Sequence, residues 1–439
     1  MKKKFWYILF VTVFFLACLV PSVGMIFAGP SPAAGNEAPV AKPRVIKLNG
    51  DFNVNFLSDL QTYLGSTFYL RLEGITGWDT LCAKLFHTSV NEDVLIGPDG
   101  WLFYGGAVND ISGAEQMSER EIWCAARSLY LMQEYAQSQG AQFLFTVPCG
   151  KYTLYPSHAP SYVTVGSSSN RERLMFAMET QDINYVNLYD VFTNQDQELY
   201  WQWDSHWTQL GAALAADALL AETGRDTDYY DGPFSVAVDT HVGDLYEMIY
   251  PKGTAREADY TWNGFTFSYL SNFHNYDDAT IETENPDATG SLLMFRDSSG
   301  RSLYPYMAQS YGRALFSRLN NYRLDFIAQQ QADTVIVELA ERTLPYLLKY
   351  PAVYPAPVRD ASLLESAVMV DSNLEGDDSG KTMEDYVNLT GTLPETAMDA
   401  PVYVTVDGAV YEAIPNEGSF SAWLPLDCDW PNAQVYVGT

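Results

Sequence analysis

A stretch of the sequence at positions 203–207, WDSHW, combines a carboxylate and an imidazole at a spacing that suits acid–base chemistry. Asp204 stands two residues before His206, just before an Ala/Leu-rich helix that Thr208 is suited to cap. In extended chain, residues two apart share a face, so Asp204 can accept a hydrogen bond from the His206 ring and fix its tautomer. This pattern favours a general base with its orienting carboxylate. A packed, hydrogen-bonded histidine in a helix-entry loop is the structural alternative.

A second stretch at 291–303, SLLMFRDSSGRSL, predicts an exposed serine at the end of a strand. An apolar run enters a Ser/Gly turn and then a helical pattern, so Ser298 follows the strand's carboxyl end. Backbone N–H groups around Ser298 and Ser299 would there be able to hold an oxyanion. A turn that merely caps the next helix is the alternative. Together the two stretches supply the nucleophile, base and orienting group of an acyl-transfer triad.

The elements that must position these residues alternate between strands and helices. A hairpin is predicted around the Pro-Asp-Gly turn of 94–104, and helical periodicity covers 119–139. Short apolar runs separated by helical stretches follow at Phe143 to Val147, Tyr185 to Leu188, Leu292 to Phe295 and Thr334 to Leu339. This order predicts an α/β fold with a parallel sheet flanked by helices, and places active residues beyond the carboxyl ends of the strands.

The two ends of the chain differ from this central part. Residues 1–29 carry three lysines and then an apolar run, which predicts a membrane anchor or a cleaved signal segment with everything beyond it outside the cytoplasm. Residues 30–90 are expected to form a Pro/Ala/Gly-rich tether and a helical region, and 91–358 the catalytic α/β domain. Residues 360–439 hold 15 acidic residues and a single lysine, with alternating runs that predict a small acidic β-sandwich, either a glycan-binding accessory or a packing partner.

Composition narrows the possible functions. The formal net charge is −30, which disfavours nucleic acid and anionic lipid surfaces and makes a neutral or weakly charged glycan a better acceptor than a strongly anionic one. The five cysteines show no CxxC spacing, and no HExxH occurs. One bridge, Cys82 to Cys124, and buried free thiols remain equal alternatives. We expect no metal and no cofactor, since a set such as Asp204, His206 and Asp297 matches no known ligand spacing.

The ordered motifs resemble a known family. VLIGPDGWLFY, FLFTVPCGKYTLYP, WDSHWTQLGA, the tripeptide at 243–245, LLMFRDSSGRSL and TVIVELAERTL are together similar to the SGNH-hydrolase-like alginate O-acetyltransferase family of cell-envelope polysaccharide acetylation proteins, over roughly 94–348. The resemblance implies that Asp204, His206 and Ser298 form the triad. It also implies a polysaccharide acceptor and a membrane-bound O-acyltransferase that supplies acetyl groups. Arg296 stands where the family has glycine, so it could alter the turn or narrow the pocket.

The sequence thus predicts an extracytoplasmic O-acetyltransferase that moves an acetyl group through an acetyl-serine onto a hydroxyl of a cell-envelope or exported polysaccharide. An esterase with the same triad and a catalytically silent glycan-binding scaffold are the alternatives. Candidate oxyanion or substrate contacts are Ser299, Lys151, Tyr152, Trp203 and Trp207, with packing or a solvated charge as the other interpretation of the last four.

Overall fold

The computed structural model describes residues 2–35, 37–166, 168–394 and 399–438. Met1 of the apolar N-terminal segment, Asn36 of the tether, and 395–398 and 439 of the acidic C-terminal region lie outside these ranges. The α-helices are α1 Lys2–Phe27, α2 Phe56–Thr67, α3 Arg71–Phe86, α4 Val108–Ser112, α5 Glu119–Ser138, α6 Lys151–Leu154, α7 Asn170–Thr180, α8 Leu188–Phe192, α9 Gln209–Glu222, α10 Asp244–Ile249, α11 Gly300–Ser310, α12 Phe326–Gln330 and α13 Tyr346–Lys349. The strands are β1 Val94–Ile96, β2 Leu102–Tyr104, β3 Gln142–Thr146, β4 Tyr185–Val186, β5 Phe234–His241, β6 Glu257–Trp262, β7 Ser268–Tyr269, β8 Thr280–Glu284, β9 Ser291–Phe295, β10 Arg313–Ser317, β11 Thr334–Glu338, β12 Val358–Arg359, β13 Ala367–Val370, β14 Leu374–Asp377, β15 Tyr386–Thr392, β16 Val402–Val406, β17 Ala409–Pro415, β18 Ser419–Pro425 and β19 Gln434–Gly438.

The central element is a seven-stranded sheet in the order β4-β3-β11-β9-β10-β8-β7. Its first five strands are parallel, whereas β8 and β7 continue it in antiparallel pairing. The predicted α/β class with a parallel sheet is therefore confirmed. The apolar runs predicted as strands correspond to β3, β4, β9 and β11, and the sequence analysis missed β10, β8 and β7.

Side chains that alternate along the parallel strands build a core on each face of the sheet. Phe143 and Phe145 of β3 pack in one cluster with residues of α5, and Leu144 packs on the other face with residues of α9 and α11. Helix α5 begins with a capping box, in which the Ser118 side chain accepts from the Glu121 amide and the Glu121 side chain accepts from the Ser118 amide. The Thr208 hydroxyl accepts from the Gly211 amide at 3.2 Å and so starts α9 at the predicted place. Both helices thus cover the sheet with the faces that their sequences make apolar.

The N-terminal part adds a long helix, two shorter helices and a hairpin. The segment Lys3–Phe27 of α1 is long and apolar enough to span a membrane, and a signal sequence has the same properties. Its side chains stay exposed from Phe5 to Phe27, apart from a few partly covered positions near its end. The predicted hairpin forms, with β1 and β2 paired antiparallel and Ile96 opposite Leu102. All five cysteines are free, and both Cys82 and Cys124 are buried, so of the two alternatives the structure contains the free thiols.

The C-terminal region is an eight-stranded antiparallel β-structure made of β12 to β19. The predicted pair of strands joined by Asp407-Gly408 is present as β16 and β17. Strand β17 pairs with β16 along one part and with β18 through Ile414 and Pro415, so it links the two halves of the region. Valines and leucines of β15, β16 and β18 share one apolar cluster. Strand β12 already belongs to this region, just before the predicted start at residue 360.

A buried carboxylate joins the C-terminal region to the α/β part. Glu412 of β17 is 2% exposed and accepts from Arg127 of α5 at 2.7 Å and from Arg359 of β12 at 2.7 Å. Arg359 also pairs with Glu134 on the same helix α5. Because both arginines are themselves mostly covered, this network is shielded from solvent and fixes β17 against α5.

Replacing Glu412 with glutamine removes the charge that two covered guanidinium groups share. We expect the free energy of unfolding to fall by about 3 kcal/mol, measured by urea unfolding followed through tryptophan fluorescence. The matched control is Glu119→Gln, because Glu119 is 70% exposed in its ion pair with Arg173 and its loss should change stability by less than about 1 kcal/mol. Equal effects of the two variants would contradict a stabilising role for the network.

Candidate functional site

The two stretches singled out in the sequence meet at the carboxyl edge of the central sheet. The loop that holds Asp204 and His206 leads into α9, and the turn that holds Ser298 lies between β9 and α11. The Trp207 indole N–H donates to the Ser299 carbonyl at 2.9 Å and ties the loop to the turn. A cavity of about 380 Å³ opens beside both, and it is lined by Tyr104, Ser205, His206, Asp244, Leu245, Met248, Asp277, Ser298, Arg301, Arg318 and Arg342. We call this cavity the arginine arm, and we use the word cleft for the site around His206 to which it belongs.

The carboxylate of Asp204 is buried and accepts four hydrogen bonds. Its Oδ1 accepts from the His206 ring Nδ1 at 2.7 Å and from the His206 amide at 2.9 Å. Its Oδ2 accepts from His241 Nε2 at 2.9 Å and from the Asp244 amide at 3.1 Å. The two-residue spacing therefore gives the side-chain contact that the sequence predicted. A second imidazole on the other oxygen was not predicted.

A second carboxylate faces the same imidazole. Asp244 Oδ2 accepts from the Ser205 hydroxyl at 2.6 Å and lies 3.5 Å from His206 Nδ1. Burial alone would lower the pKa of His206, but its hydrogen bond to Asp204 and the charges of Asp204 and Asp244 outweigh burial, and the pKa is raised. For Asp204, burial alone would raise the pKa, but the hydrogen bonds and charges of His206 and His241 hold it well below its usual range. The pair thus favours a charge-separated state.

The other ring nitrogen of the histidine is available for proton transfer. His206 Nε2 is buried and has no hydrogen-bond partner in the described part of the chain. His206 and Ser298 line the same cavity, yet no hydrogen bond joins Nε2 to the Ser298 hydroxyl among the described residues. The Ser298 Oγ instead lies 3.5 Å from Nη2 of Arg342, whose guanidinium also covers the Tyr104 ring. The structure thus brings Asp204 and His206 into contact and places Ser298 in the lining of the same cavity as His206.

The turn before α11 is held by Asp297, a partly buried acidic residue. Asp297 accepts from the Ser299 amide at 2.7 Å and from the Ala340 amide at 2.8 Å. The Asp297 amide in turn donates to Glu338 at 3.0 Å. The expectation that the Ser299 amide would be an oxyanion donor is therefore wrong for this structure, because that N–H already binds Asp297. The same contacts leave Asp297 outside any ligand set with Asp204.

Arg296, which stands where the resemblance led us to expect glycine, does not line the arginine arm. Its guanidinium donates to the carbonyls of Tyr276 at 2.8 Å and Asp278 at 3.4 Å, and it covers the Tyr304 ring. Arg296 also lies outside the residues of positive φ, so a glycine is not required there. The concern that this residue narrows the pocket is thus not borne out by its position.

The remaining sequence-predicted contacts serve the scaffold. Lys151 Nζ is buried and donates to the carbonyls of Leu102, Gln202 and Asp204, each at 2.8 Å, and burial lowers its pKa to about 7. Trp207 is fully buried, and Tyr152 is 3% exposed with its hydroxyl bonded to the Tyr104 carbonyl.

Trp203 likewise belongs to the packing around the site. Its ring stacks on Tyr246, with the two ring centres 5.3 Å apart. Trp203, Trp207, Tyr152 and Lys151 are all absent from the lining of the arginine arm. They are therefore not walls of this cavity, although Lys151 and Tyr152 line a separate small cavity together with Ser299 and Arg342.

Sequence reasoning missed four polar residues of the cleft. Asp244 lies in the tripeptide at 243–245 that contributed to the resemblance, so a signal for it was present. His241 is one of only five histidines, yet it ends a strand with no motif around it. Arg301 and Arg342 lie within two motifs of the resemblance, LLMFRDSSGRSL and TVIVELAERTL, but no site role was predicted for them, because their place beside Ser298 depends on how α11 and the segment after β11 pack.

Three ligand-type groups lie close together, but they are engaged with each other. One ligand atom each of Asp204, His206 and Asp244 lies within 4.8 Å of the others. The His206 Nδ1 and both oxygens of Asp204 already share hydrogen bonds. This arrangement is the one expected of an orienting network around a base rather than of a metal centre.

Comparison with known proteins finds similarity in the central part of the chain. Residues 94–257 match the family described as SGNH hydrolase-like domain, acetyltransferase AlgX, which confirms the resemblance for this segment. The match includes Asp204, His206 and Asp244 and ends before Ser298. The probable alginate O-acetylase AlgJ of Pseudomonas aeruginosa is 25% identical over 198 residues, 43% of this chain and 49% of that protein. AlgJ of Pseudomonas putida is 22% identical over 174 residues, 38% of this chain and 43% of that protein. The match thus spans about half the length of these relatives or less.

Two solved structures that resemble this chain have lower sequence identity to it. Bacillus cereus PatB1 shares 18% sequence identity over 58% of this chain and 97% of its own, with a TM-score of 0.46. The O-acetyltransferase domain of Pseudomonas putida AlgJ shares 14% identity over 58% of this chain and 93% of its own, with a TM-score of 0.40.

Lys151 offers a test of the scaffold around the site. Lys151→Met leaves three buried carbonyls without their donor, so we expect the free energy of unfolding to fall by at least about 3 kcal/mol in urea. Lys381→Met, which removes an exposed lysine, is the control and should change stability by less than about 0.5 kcal/mol. A Lys151→Met protein as stable as the control would show that these three hydrogen bonds are dispensable.

Proposed function

We propose that this protein is an extracytoplasmic O-acetyltransferase that carries an acetyl group on Ser298 and passes it to a hydroxyl of a cell-envelope or exported polysaccharide. The observation that carries the proposal is a single cavity that holds the Ser298 hydroxyl and a buried imidazole whose other nitrogen binds Asp204. The match of 94–257 to an SGNH hydrolase-like acetyltransferase family supports the same reaction class.

In the first step His206 acts as the base. Its Nε2 takes the proton of the Ser298 hydroxyl while the oxygen attacks the carbonyl carbon of an acetyl ester. Collapse of the tetrahedral intermediate breaks the bond to the donor's alcohol oxygen, which receives the proton from His206. Since Nε2 and the hydroxyl share no hydrogen bond in this structure, substrate binding has to close that gap. Asp204 keeps Nδ1 protonated and stabilises the imidazolium that forms.

The oxyanion of this step needs a donor other than the Ser299 amide. Arg342 is placed for it, because its Nη2 lies 3.5 Å from the Ser298 oxygen and its charge is fixed over the Tyr104 ring. A guanidinium in a covered cavity stabilises developing negative charge without reorganisation. Arg342 is therefore the oxyanion-stabilising residue in this proposal.

In the second step an acceptor hydroxyl replaces the donor's alcohol. His206 removes its proton, the oxygen attacks the acetyl-serine carbonyl, and the Ser298 oxygen leaves and recovers the proton. An esterase would use water here, so a rate that depends on acceptor separates the two reactions. A silent scaffold is the third possibility, and the position of Arg296 away from the cavity speaks against it.

The N-terminal helix and the relatives support the setting proposed for this reaction. A helix able to span a membrane precedes the catalytic part, so we place the cleft outside the cytoplasm, tethered or released after cleavage. The named relatives are probable alginate O-acetylases, which supports a polysaccharide acceptor here. A membrane-bound O-acyltransferase that exports acetyl groups is the proposed supplier.

Trapping the intermediate tests the function directly. We expect wild-type protein mixed with an activated acetyl ester to gain the mass of one acetyl group in rapid-quench mass spectrometry, mapped to the peptide with Ser298. Ser298→Ala should lose the adduct, whereas Ser302→Ala, four residues along and buried in α11, should keep it. Absence of any adduct on the wild type would count against the acetyl-serine route.

The pH dependence tests the base. His206 must be neutral to accept a proton, so activity should rise with pH as the imidazolium loses its proton. Because the pKa of His206 is raised, we expect the midpoint of this rise to lie above the ordinary histidine value of 6.5. Asp244→Asn removes one of the charges that raise the pKa of His206. The midpoint of the rise in activity should therefore shift to lower pH by roughly half a pH unit or more. Glu179→Gln removes an equal charge from an exposed helix position and should leave the midpoint in place. A midpoint unmoved in Asp244→Asn would contradict this assignment.

A further inference from the structure

A second cavity is also lined by His206. It measures about 540 Å³ and shares His206 and Arg301 with the arginine arm. Its remaining lining consists of Trp201, Asp204, Gln209, His241, Asp259, Tyr260, Thr261, Trp262, Phe265, Phe267, Tyr269, Tyr276, Ser302, Tyr304 and Pro305. The volume falls within the range of small-molecule sites. We call this cavity the aromatic arm.

Aromatic side chains run along this arm without a break. The ring centres are 5.0 Å apart from Trp262 to Phe265, 5.7 Å from Phe265 to Phe267 and 5.5 Å from Phe267 to Tyr269. Phe273 then stacks on Tyr269 at 4.1 Å, with its ring nearly parallel.

We call this row of rings the aromatic strip, and it continues to Tyr276, whose backbone is bound by Arg296. Tyr276 lies 5.8 Å from Phe273 and 6.2 Å from Tyr304. The carbonyl of Tyr276 accepts from Arg296, so the buried arginine fixes the far end of the strip. Arg296 thus helps to position Tyr276 in the lining of the aromatic arm.

Exposure distinguishes this strip from an ordinary core. Tyr276 is 54% exposed and Tyr269 is 37% exposed, although each contacts other rings. Asp259, Gln209 and Thr261 add acceptors and donors along the lining. Flat apolar faces beside polar groups are complementary to a pyranose ring, which has apolar C–H faces and hydroxyls around its edge.

We infer that the aromatic arm binds the acceptor as a chain of pyranose rings that stack on Tyr276 and its neighbours and lead a hydroxyl to His206. This inference rests on the proposed function for the role of the sugar as acceptor. Because the two arms share His206 but are otherwise lined by different residues, apart from Arg301, we assign the acceptor to the aromatic arm and the donor to the arginine arm. Stacking rather than ion pairing provides most of the contact, so an uncharged sugar chain fits the arm.

Binding can be measured apart from the chemistry. Ser298→Ala protein of full length is titrated by calorimetry with three soluble probes: the pentasaccharides of β-1,4-linked glucose, of β-1,4-linked N-acetylglucosamine and of mannuronate. We expect at least one of the two neutral probes to bind, and Tyr276→Ala in the same background to weaken it about tenfold. Tyr276→Phe keeps the ring and should bind within about twofold of the parent.

The control is Phe176→Ala, which removes an aromatic ring that is 70% exposed outside both arms and should leave binding unchanged. Unchanged thermal unfolding of Tyr276→Ala shows that it folds. The inference is overturned if neither neutral probe binds or if Tyr276→Ala binds as tightly as the parent. Failure of the proposed function looks different: an oligosaccharide then binds through Tyr276, but wild-type protein forms no acetyl adduct.

Discussion

The site depends on burying the carboxylate of Asp204, which is 3% exposed and so must have its charge matched inside the fold. Its two oxygens are satisfied by the His206 ring and amide, by the His241 ring and by the Asp244 amide. These partners come from the loop before α9, the end of β5 and the start of α10. The carbonyl of the same residue accepts from Lys151, which draws in β2 as well. Removing any one donor leaves a buried charge under-paired, so the geometry of the base is set by several elements at once.

The sequence predicted the parts of this arrangement that depend on local patterns. Continuous apolar runs identified β3, β9 and β11, because strands buried on both faces contain few polar residues. The run TIETE of β8 escaped notice, since only alternate side chains face the core at this edge. Lys151 was predicted to be either a substrate contact or a solvated charge, and its buried position escaped prediction because its carbonyl partners lie some fifty residues away on both sides. The Ser299 amide was predicted to be an oxyanion donor, but it binds the Asp297 side chain instead. That side chain also accepts from the Ala340 amide after β11, a contact that local sequence does not reveal.

Charge shows why composition constrains function only loosely. The chain carries a formal net charge of −30, yet three arginines, Arg301, Arg318 and Arg342, line the cavity around Ser298. Asp277 forms ion pairs with Arg301 and Arg318 and keeps their side chains in place. One carboxylate does not cancel the positive charge of the three arginines. Over a distance of about 10 Å, salt screens the charges on the outer surface, so the field at Ser298 is dominated by these nearby groups. A net negative protein can therefore stabilise an oxyanion at one point.

Two arms that meet at one imidazole bear on how the proposed transfer would avoid hydrolysis. If donor and acceptor shared a single pocket, departure of the donor's alcohol would leave the acetyl-serine facing water. With the acceptor already lying along the aromatic strip, a sugar hydroxyl is present when the donor leaves, and its local concentration competes with that of water. The same His206 then serves both half-reactions, because this residue lines both cavities. Transfer in this scheme depends less on a special nucleophile than on filling the second arm before the first one empties.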